Sequence, residues 1–163
     1  MLLHYLIPIL AFAAGVMVTD MVRAHFRPRP AIHWRQLIVA AEFLILLMVA
    51  YVPPGRWDAA VNVAVSFVCA MQVESFRKIR GNAVATTMCT GNLRSATEQI
   101  FHYVRTRNPD TRKTILSYYE IVVFFTLGAT LGAALSALFA EKAILFCCLF
   151  LIIAFLSMFA KEI

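Results

Sequence analysis

Residues 86–92 read Thr-Thr-Met-Cys-Thr-Gly-Asn and set hydroxyls, an amide and a glycine into a largely apolar chain. Hydroxyl and amide groups can hold a small polar solute or an ion. Backbone that leaves the helix near a membrane must line a cavity or be buried in protein, because lipid cannot hydrogen-bond the freed N–H and C=O groups. The free N–H groups where a half-helix begins favour an anion or a carboxylate. Thr86, Thr87, Thr90, Gly91 and Asn92 are therefore candidate ligand-binding residues, joined by Gln72 from the segment before them.

Four acids lie within or at the edges of apolar segments: Asp20, Glu42, Glu74 and Glu120. A carboxylate in hydrocarbon costs about 3 kcal/mol or more, so such acids face a cavity or a partner. Asp20 has Arg23 one turn away, and Glu74 has Arg77 and Lys78, which reads as ion pairing at helical spacing. Glu42 has no basic neighbour within a turn, only Arg35 at the mouth of its helix. It is the ion-coupling candidate, as a proton or cation relay, with a purely structural role as the alternative. Glu120, near Tyr118 and Tyr119, reads as structural.

Asn62, Ser66, Cys69 and Gln72 recur at helical spacing and could line a pathway or hydrogen-bond between helices. Cys69, Cys89, Cys147 and Cys148 form no Cys-x-x-Cys pair, so neither a disulfide framework nor a zinc site is expected. A Cys89–His102 catalytic pair has no diagnostic spacing, and His4, His25 and His33 are terminal or loop residues. No catalytic residue, metal site or cofactor is expected, and the chain does not read as an enzyme.

These residues sit in a chain of 163 residues that is 61% hydrophobic and only 15% charged. Its mean hydropathy is +0.77. Soluble domains average roughly 45–50% apolar residues, so the composition belongs to the membrane class. The net charge of +6 does not signal nucleic acid, because the basic residues lie between apolar spans. They read as topology signals and contacts to anionic headgroups. The apolar run from Met1 has no basic n-region or cleavage site and reads as a retained span rather than a signal peptide.

Five apolar segments are long enough to cross a bilayer as helices: Leu2–Val22, Trp34–Val52, Ala59–Phe76, Ile115–Phe139 and Ala143–Ala160. Pro53-Pro54-Gly55 ends the second. Arg27-Pro28-Arg29-Pro30 is a stiff basic loop, and Asn108-Pro109-Asp110 a turn. With the N-terminus outside, Arg23, Arg27, Arg29, Arg35, Arg77, Lys78, Arg80, Arg105, Arg107, Arg112, Lys113 and Lys161 fall inside. Only Arg56 and Lys142 fall outside. Both 77–80 and 105–113 are then inside, so 81–104 dips in and returns or lies on the inner surface. Leu93–Val104 is amphipathic, with Leu93, Ile100, Phe101 and Val104 on one face. A re-entrant hairpin turning at Thr-Gly-Asn fits, with Asn92 as N-cap or Ser95-x-x-Glu98 as a capping box. The fold class is all-α: a polytopic membrane protein of five transmembrane helices plus a broken, re-entrant element.

Phe12-x-x-Gly15-x-x-x-Thr19 and Phe125-x-x-Gly128-x-x-x-Gly132 share a pattern in spans of opposite direction. That suggests an inverted repeat, as in transporters with midplane sites. The chain would then be a single transmembrane domain, 1–52 a partial first repeat and 58–163 a second carrying the Thr-Gly-Asn turn. Gly15, Gly128 and Gly132 are helix-packing positions, within the protomer or across a dimer.

Ala70-Met71-Gln72, then Arg77-Lys78-x-Arg80-Gly81, then Ala85-Thr86-Thr87-x-x-Thr90-Gly91-Asn92-Leu93 resembles the YoaK family of bacterial membrane proteins, also called domain of unknown function 1275. The Phe125-x-x-Gly128-x-x-x-Gly132 helix is also in character. The resemblance implies two Thr-Gly-Asn elements, one per half, and by this reading the chain is expected to begin after the first. Glu74 stands near where small or amide residues are usual. The resemblance implies the bacterial cytoplasmic (inner) membrane, and the charge count above sets the expected orientation, N-terminus outside and C-terminus inside. A homodimer, or a membrane-protein partner completing the missing half, is expected, and no nucleic acid. The expected function is transport or binding of a small solute or ion at residues 86–92. The alternative is a non-catalytic accessory subunit of a membrane complex.

Overall fold

The computed structural model of the protein describes residues 2–27, 33–79, 82–84 and 86–160. The Pro28–Pro30 part of the basic loop, together with Arg80, Gly81, Ala85 and Lys161, lies outside the described residues. Among these residues, six α-helices follow in order: α1 Leu2–Phe26, α2 Trp34–Val49, α3 Asp58–Ser75, α4 Cys89–Thr106, α5 Pro109–Phe139 and α6 Ile144–Ala160. Between α3 and α4, β1 (Lys78–Ile79) and β2 (Asn82–Ala83) pair antiparallel, with Lys78 opposite Ala83. The all-α class is borne out, and each expected apolar segment is a helix.

Among the described residues, two stretches are long and apolar enough to cross a membrane: Tyr5–Phe26, and Pro109–Phe159, which holds both α5 and α6. The 16 residues of α2 span about 24 Å. The polar residues Asp58, Asn62, Ser66, Gln72, Glu74 and Ser75 dilute α3.

The chain divides into two compact units, residues 1–75 with 135–163, and residues 76–134. In the first, α1 packs along α3, and α2 packs on α3 and α6. The core takes Ile38, Val39 and Leu46 from α2, Val68, Ala70 and Met71 from α3, and Cys148 and Leu151 from α6. Gly15 sets the α1–α3 approach: a Cβ there would lie 2.6 Å from the Phe67 carbonyl oxygen and 2.8 Å from the Ala70 Cβ. Contact this close needs a residue without a side chain.

A charged and aromatic cluster closes one end of this unit. Arg23 pairs with Asp20 at 3.2 Å, one turn away as its spacing predicts. It also meets Glu74 of α3 at 3.4 Å, across helices. Arg35 donates from Nε to the Ser75 carbonyl at 3.1 Å, satisfying an acceptor at the end of α3. Its guanidinium lies 5.0 Å from the Trp34 ring centroid, a cation–π distance.

In the second unit the ribbon extends by a Val84 N–H to Arg77 carbonyl bond of 3.0 Å. Val84, Ala96 of α4 and Tyr118 of α5 form a small core with Tyr119 and Ile121 packed against it. The Tyr118 hydroxyl donates to the Ala83 carbonyl at 3.0 Å and ties the ribbon to α5. Helix α5 begins at Pro109, well before the expected Ile115. Pro suits a first helical position, and the Asn108 side chain accepts from the Asp110 N–H at 2.9 Å.

The expected turn at Thr-Gly-Asn is not what the chain does. Thr86 and Thr87 make the turn, and Thr90, Gly91 and Asn92 already lie in the first turn of α4. The N-cap is Met88, which makes no side-chain cap bond, so Asn92 is not the cap. Ser95 and Glu98 are interior to the helix and form no capping box. Asn92 instead donates from Nδ2 to the Met88 carbonyl at 3.0 Å, inside the turn it was expected to begin.

Candidate functional site

The start of α4 carries two kinds of positive potential. Met88 offers no side-chain acceptor, so the backbone N–H groups of the first turn have no cap from it. These groups hold the positive end of the helix dipole. The ribbon before α4 brings Arg77 and Lys78, both exposed, to the same place. Arg77, Lys78, Ala83, Val84, Gly91, Asn92 and Ser95 together line one shallow open recess of about 450 Å³. A recess with basic side chains on one side and a helix start on the other can hold a carboxylate or phosphate-like group.

The expected site residues separate. Gly91 and Asn92 line the recess. Asn92 is 3% exposed, so it mainly shapes the floor. Thr90 lies on another side of the helix, in a groove with Leu93, Arg94, Thr97, Glu98 and Phe101. Thr86 and Thr87 are half-buried in the turn, and the Thr86 hydroxyl is buried with no hydrogen-bond partner among the described residues. Gln72 and Glu42 belong to the other compact unit. Arg77, Lys78 and Ser95 were not expected here. The first two read as headgroup contacts, and a two-residue ribbon has too few positions to show a period of two.

No catalytic pair forms from Cys89 and His102. Both lie on α4, thirteen residues and therefore roughly 20 Å apart along its axis. All four cysteines are free. Among the described residues no group of three His, Cys, Asp or Glu could hold a metal ion.

The glycines of the two similar helices differ in surroundings. Gly15 is tightly packed, whereas a Cβ at Gly128 or Gly132 would meet nothing within 4 Å.

Comparison with known families decides the relationship. A family model described as "Protein of unknown function (DUF1275)" matches residues 1–157. The chain belongs to the DUF1275 family. No curated protein and no solved structure matches it at a significant level. The DUF1275 match covers α1 to α5 and most of α6, so the recess and the Gly15 crossing both fall within the family's extent.

Proposed function

We propose that this DUF1275 protein is an integral membrane protein that binds, and moves, a small anionic solute at the start of α4. The carrying observation is that Arg77 and Lys78 share a recess with the first turn of α4, to which Met88 gives no side-chain cap. Two like charges beside a helix start attract a carboxylate or phosphate group, and few neutral ligands would gain from that arrangement. A recess of about 450 Å³ suits a small metabolite rather than a polymer.

The membrane reading draws on the exterior of the helices. Phe124, Leu127 and Leu131 of α5 and Leu149, Phe150, Ile153 and Leu156 of α6 are exposed, as are Tyr5, Ile9 and Met17 of α1. Apolar surface on this scale is covered by lipid or protein. Helix α4 suits the inner membrane surface. Its Leu93, Ile100, Phe101 and Val104 face outward beside Arg94 and Arg105, the pattern of an interfacial helix. The positive-inside rule applied to the charges supports a reading with the N-terminus outside and the recess on the inner side.

Gly91→Leu tests the site without breaking the fold. A Cβ at Gly91 meets nothing within 4 Å. Leucine is also the better helix former by roughly 0.8 kcal/mol. Inorganic phosphate and acetate, titrated at constant ionic strength, are expected to raise the melting temperature of the purified wild type. Gly91→Leu is expected to melt at or above the wild-type temperature and to lose at least tenfold in apparent affinity. Equal responses from both proteins count against the recess.

A second reading, a subunit that packs on another membrane helix, is favoured by one observation. The Gly128-x-x-x-Gly132 face of α5 has open space where Gly15 has none. Native mass spectrometry of the detergent-purified chain separates the cases. A homodimer or hetero-complex that Gly132→Leu dissociates supports this reading; a monomer in both proteins removes it.

A further inference from the structure

Glu42 is 0% exposed, and neither of its carboxyl oxygens has a hydrogen-bond partner among the described residues. The recess in the other unit makes no use of it. Its helix explains its placement. Gln36, Ile38, Val39, Glu42 and Leu46 are the buried residues of α2, and the spacing from Ile38 to Leu46 is that of one helical face. A sequence that folds this face inward carries the acid with it.

The pair of helices α2 and α3 carries two further buried polar atoms without hydrogen-bond partners among the described residues. The Arg35–Ser75 bond puts the start of α2 level with the end of α3. Glu42, two turns further along α2, lies within electrostatic range of Cys69 on α3. The two helices therefore run antiparallel. At the Arg35 level, Gln36 Nε2 and Ser75 Oγ are buried and also lack hydrogen-bond partners among the described residues. More than nine in ten buried polar groups in folded proteins are paired, so this run along one helix pair calls for a function. Thr19 of α1 is buried too, but its hydroxyl donates to the Gly15 carbonyl at 2.9 Å.

We propose that Glu42 is a reversible proton site, reached from the Arg35 end of α2 past Gln36 and Ser75. A carboxylate oxygen takes a proton delivered by water at that end and releases it by the same route. The hydroxyl of Ser75 can accept and donate, and the amide of Gln36 can orient the path. A hard metal cation is a poorer fit, because it needs several oxygen ligands and Glu42 has only apolar neighbours along its own face. Among the described titratable groups on the helices packed against α2, Cys69 of α3 lies within electrostatic range of Glu42 and Cys148 of α6 is buried in the same core. Arg35 of α2, Asp20 and Arg23 of α1 and Glu74 of α3 sit at the charged end. The inference rests on the buried acid and is independent of whether the recess binds an anion.

Infrared difference spectroscopy on the full chain in lipid nanodiscs, between about pH 5 and about pH 9, tests it over a range that covers buried glutamates. The wild type is expected to lose a protonated-carboxyl C=O band on going to alkaline pH, and Glu42→Gln to lack that change. The band is expected to shift in D2O, with exchange at least fivefold slower in Ser75→Ala. If Glu42→Gln does not fold, Glu42→Asp gives the same reading through a displaced band. A Glu42-dependent band that is identical at both pH values overturns the proposal. So does a band that responds to sodium at fixed pH.

Discussion

Gly15→Leu is expected to abolish the folded state of the protein, whereas the protomer with leucine at Gly128 melts at or above the wild-type temperature. The contrast follows from backbone geometry. At Gly15 the first atom of any side chain would stand 2.6 Å from the Phe67 carbonyl oxygen. That oxygen belongs to the α3 backbone and cannot swing aside as a side-chain tip would. Even alanine forces α1 away from α3, and overpacking of this kind costs about 1–3 kcal/mol. Leucine adds further atoms on the same line and is expected to exceed that range. Against a typical total stability of about 5–15 kcal/mol, it removes much of what holds the domain. Separating α1 would also pull Arg23 from Glu74 and open Thr19 and Ala70, both wholly buried. Thermal unfolding in detergent checks the pair. Gly15→Ala should melt lower than wild type and Gly15→Leu should yield no cooperative transition. A Gly15→Leu protein with wild-type melting would show that α1 does not rely on this crossing.

The same two glycines mark what the chain's letters can and cannot tell. Phe12-x-x-Gly15 and Phe125-x-x-Gly128 look alike, yet only the first is filled by a neighbouring helix. A motif states that close approach is possible; the partner comes from the rest of the fold. The helices themselves were legible, because sustained apolar length and Pro53-Pro54-Gly55 act locally. Asp20 with Arg23 was legible for the same reason. Glu74 with Arg23 was not, since the two lie on different helices. The start of α4 was misplaced because glycine and asparagine are turn formers by propensity. Here the chain tolerates Gly91 in the first helical turn. Buried Ala96 and Asn92, with the Asn92 bond to Met88, hold that turn from one side. Tertiary packing outweighed a local preference of roughly 1 kcal/mol. The recess was half legible. Gly91 and Asn92 stood out by type, but Arg77 and Lys78 reach them only through a ribbon too short to show in the sequence.

Glu42→Met is expected to make the protein more stable than the wild type. Methionine matches the length of the glutamate side chain and fits the apolar face formed by Ile38, Val39 and Leu46. The wild-type carboxyl is wholly buried without a hydrogen bond among the described residues. Leaving a buried polar group unsatisfied costs about 1–3 kcal/mol, and an apolar side chain of the same shape removes that cost. For a domain of this size each kcal/mol moves the melting temperature by roughly 2–4 °C, so a rise of several degrees is expected in detergent. Glu42→Gln keeps polar atoms in the same place and should gain little. A residue that weakens its own fold is retained when it does something the stable alternative cannot, and sites of function are where such costs collect. If methionine instead lowers the melting temperature, Glu42 has a stabilising partner, and the acid is structural. If methionine raises it while abolishing the pH-dependent carboxyl signal, the burial of Glu42 is the cost of holding a proton between helices.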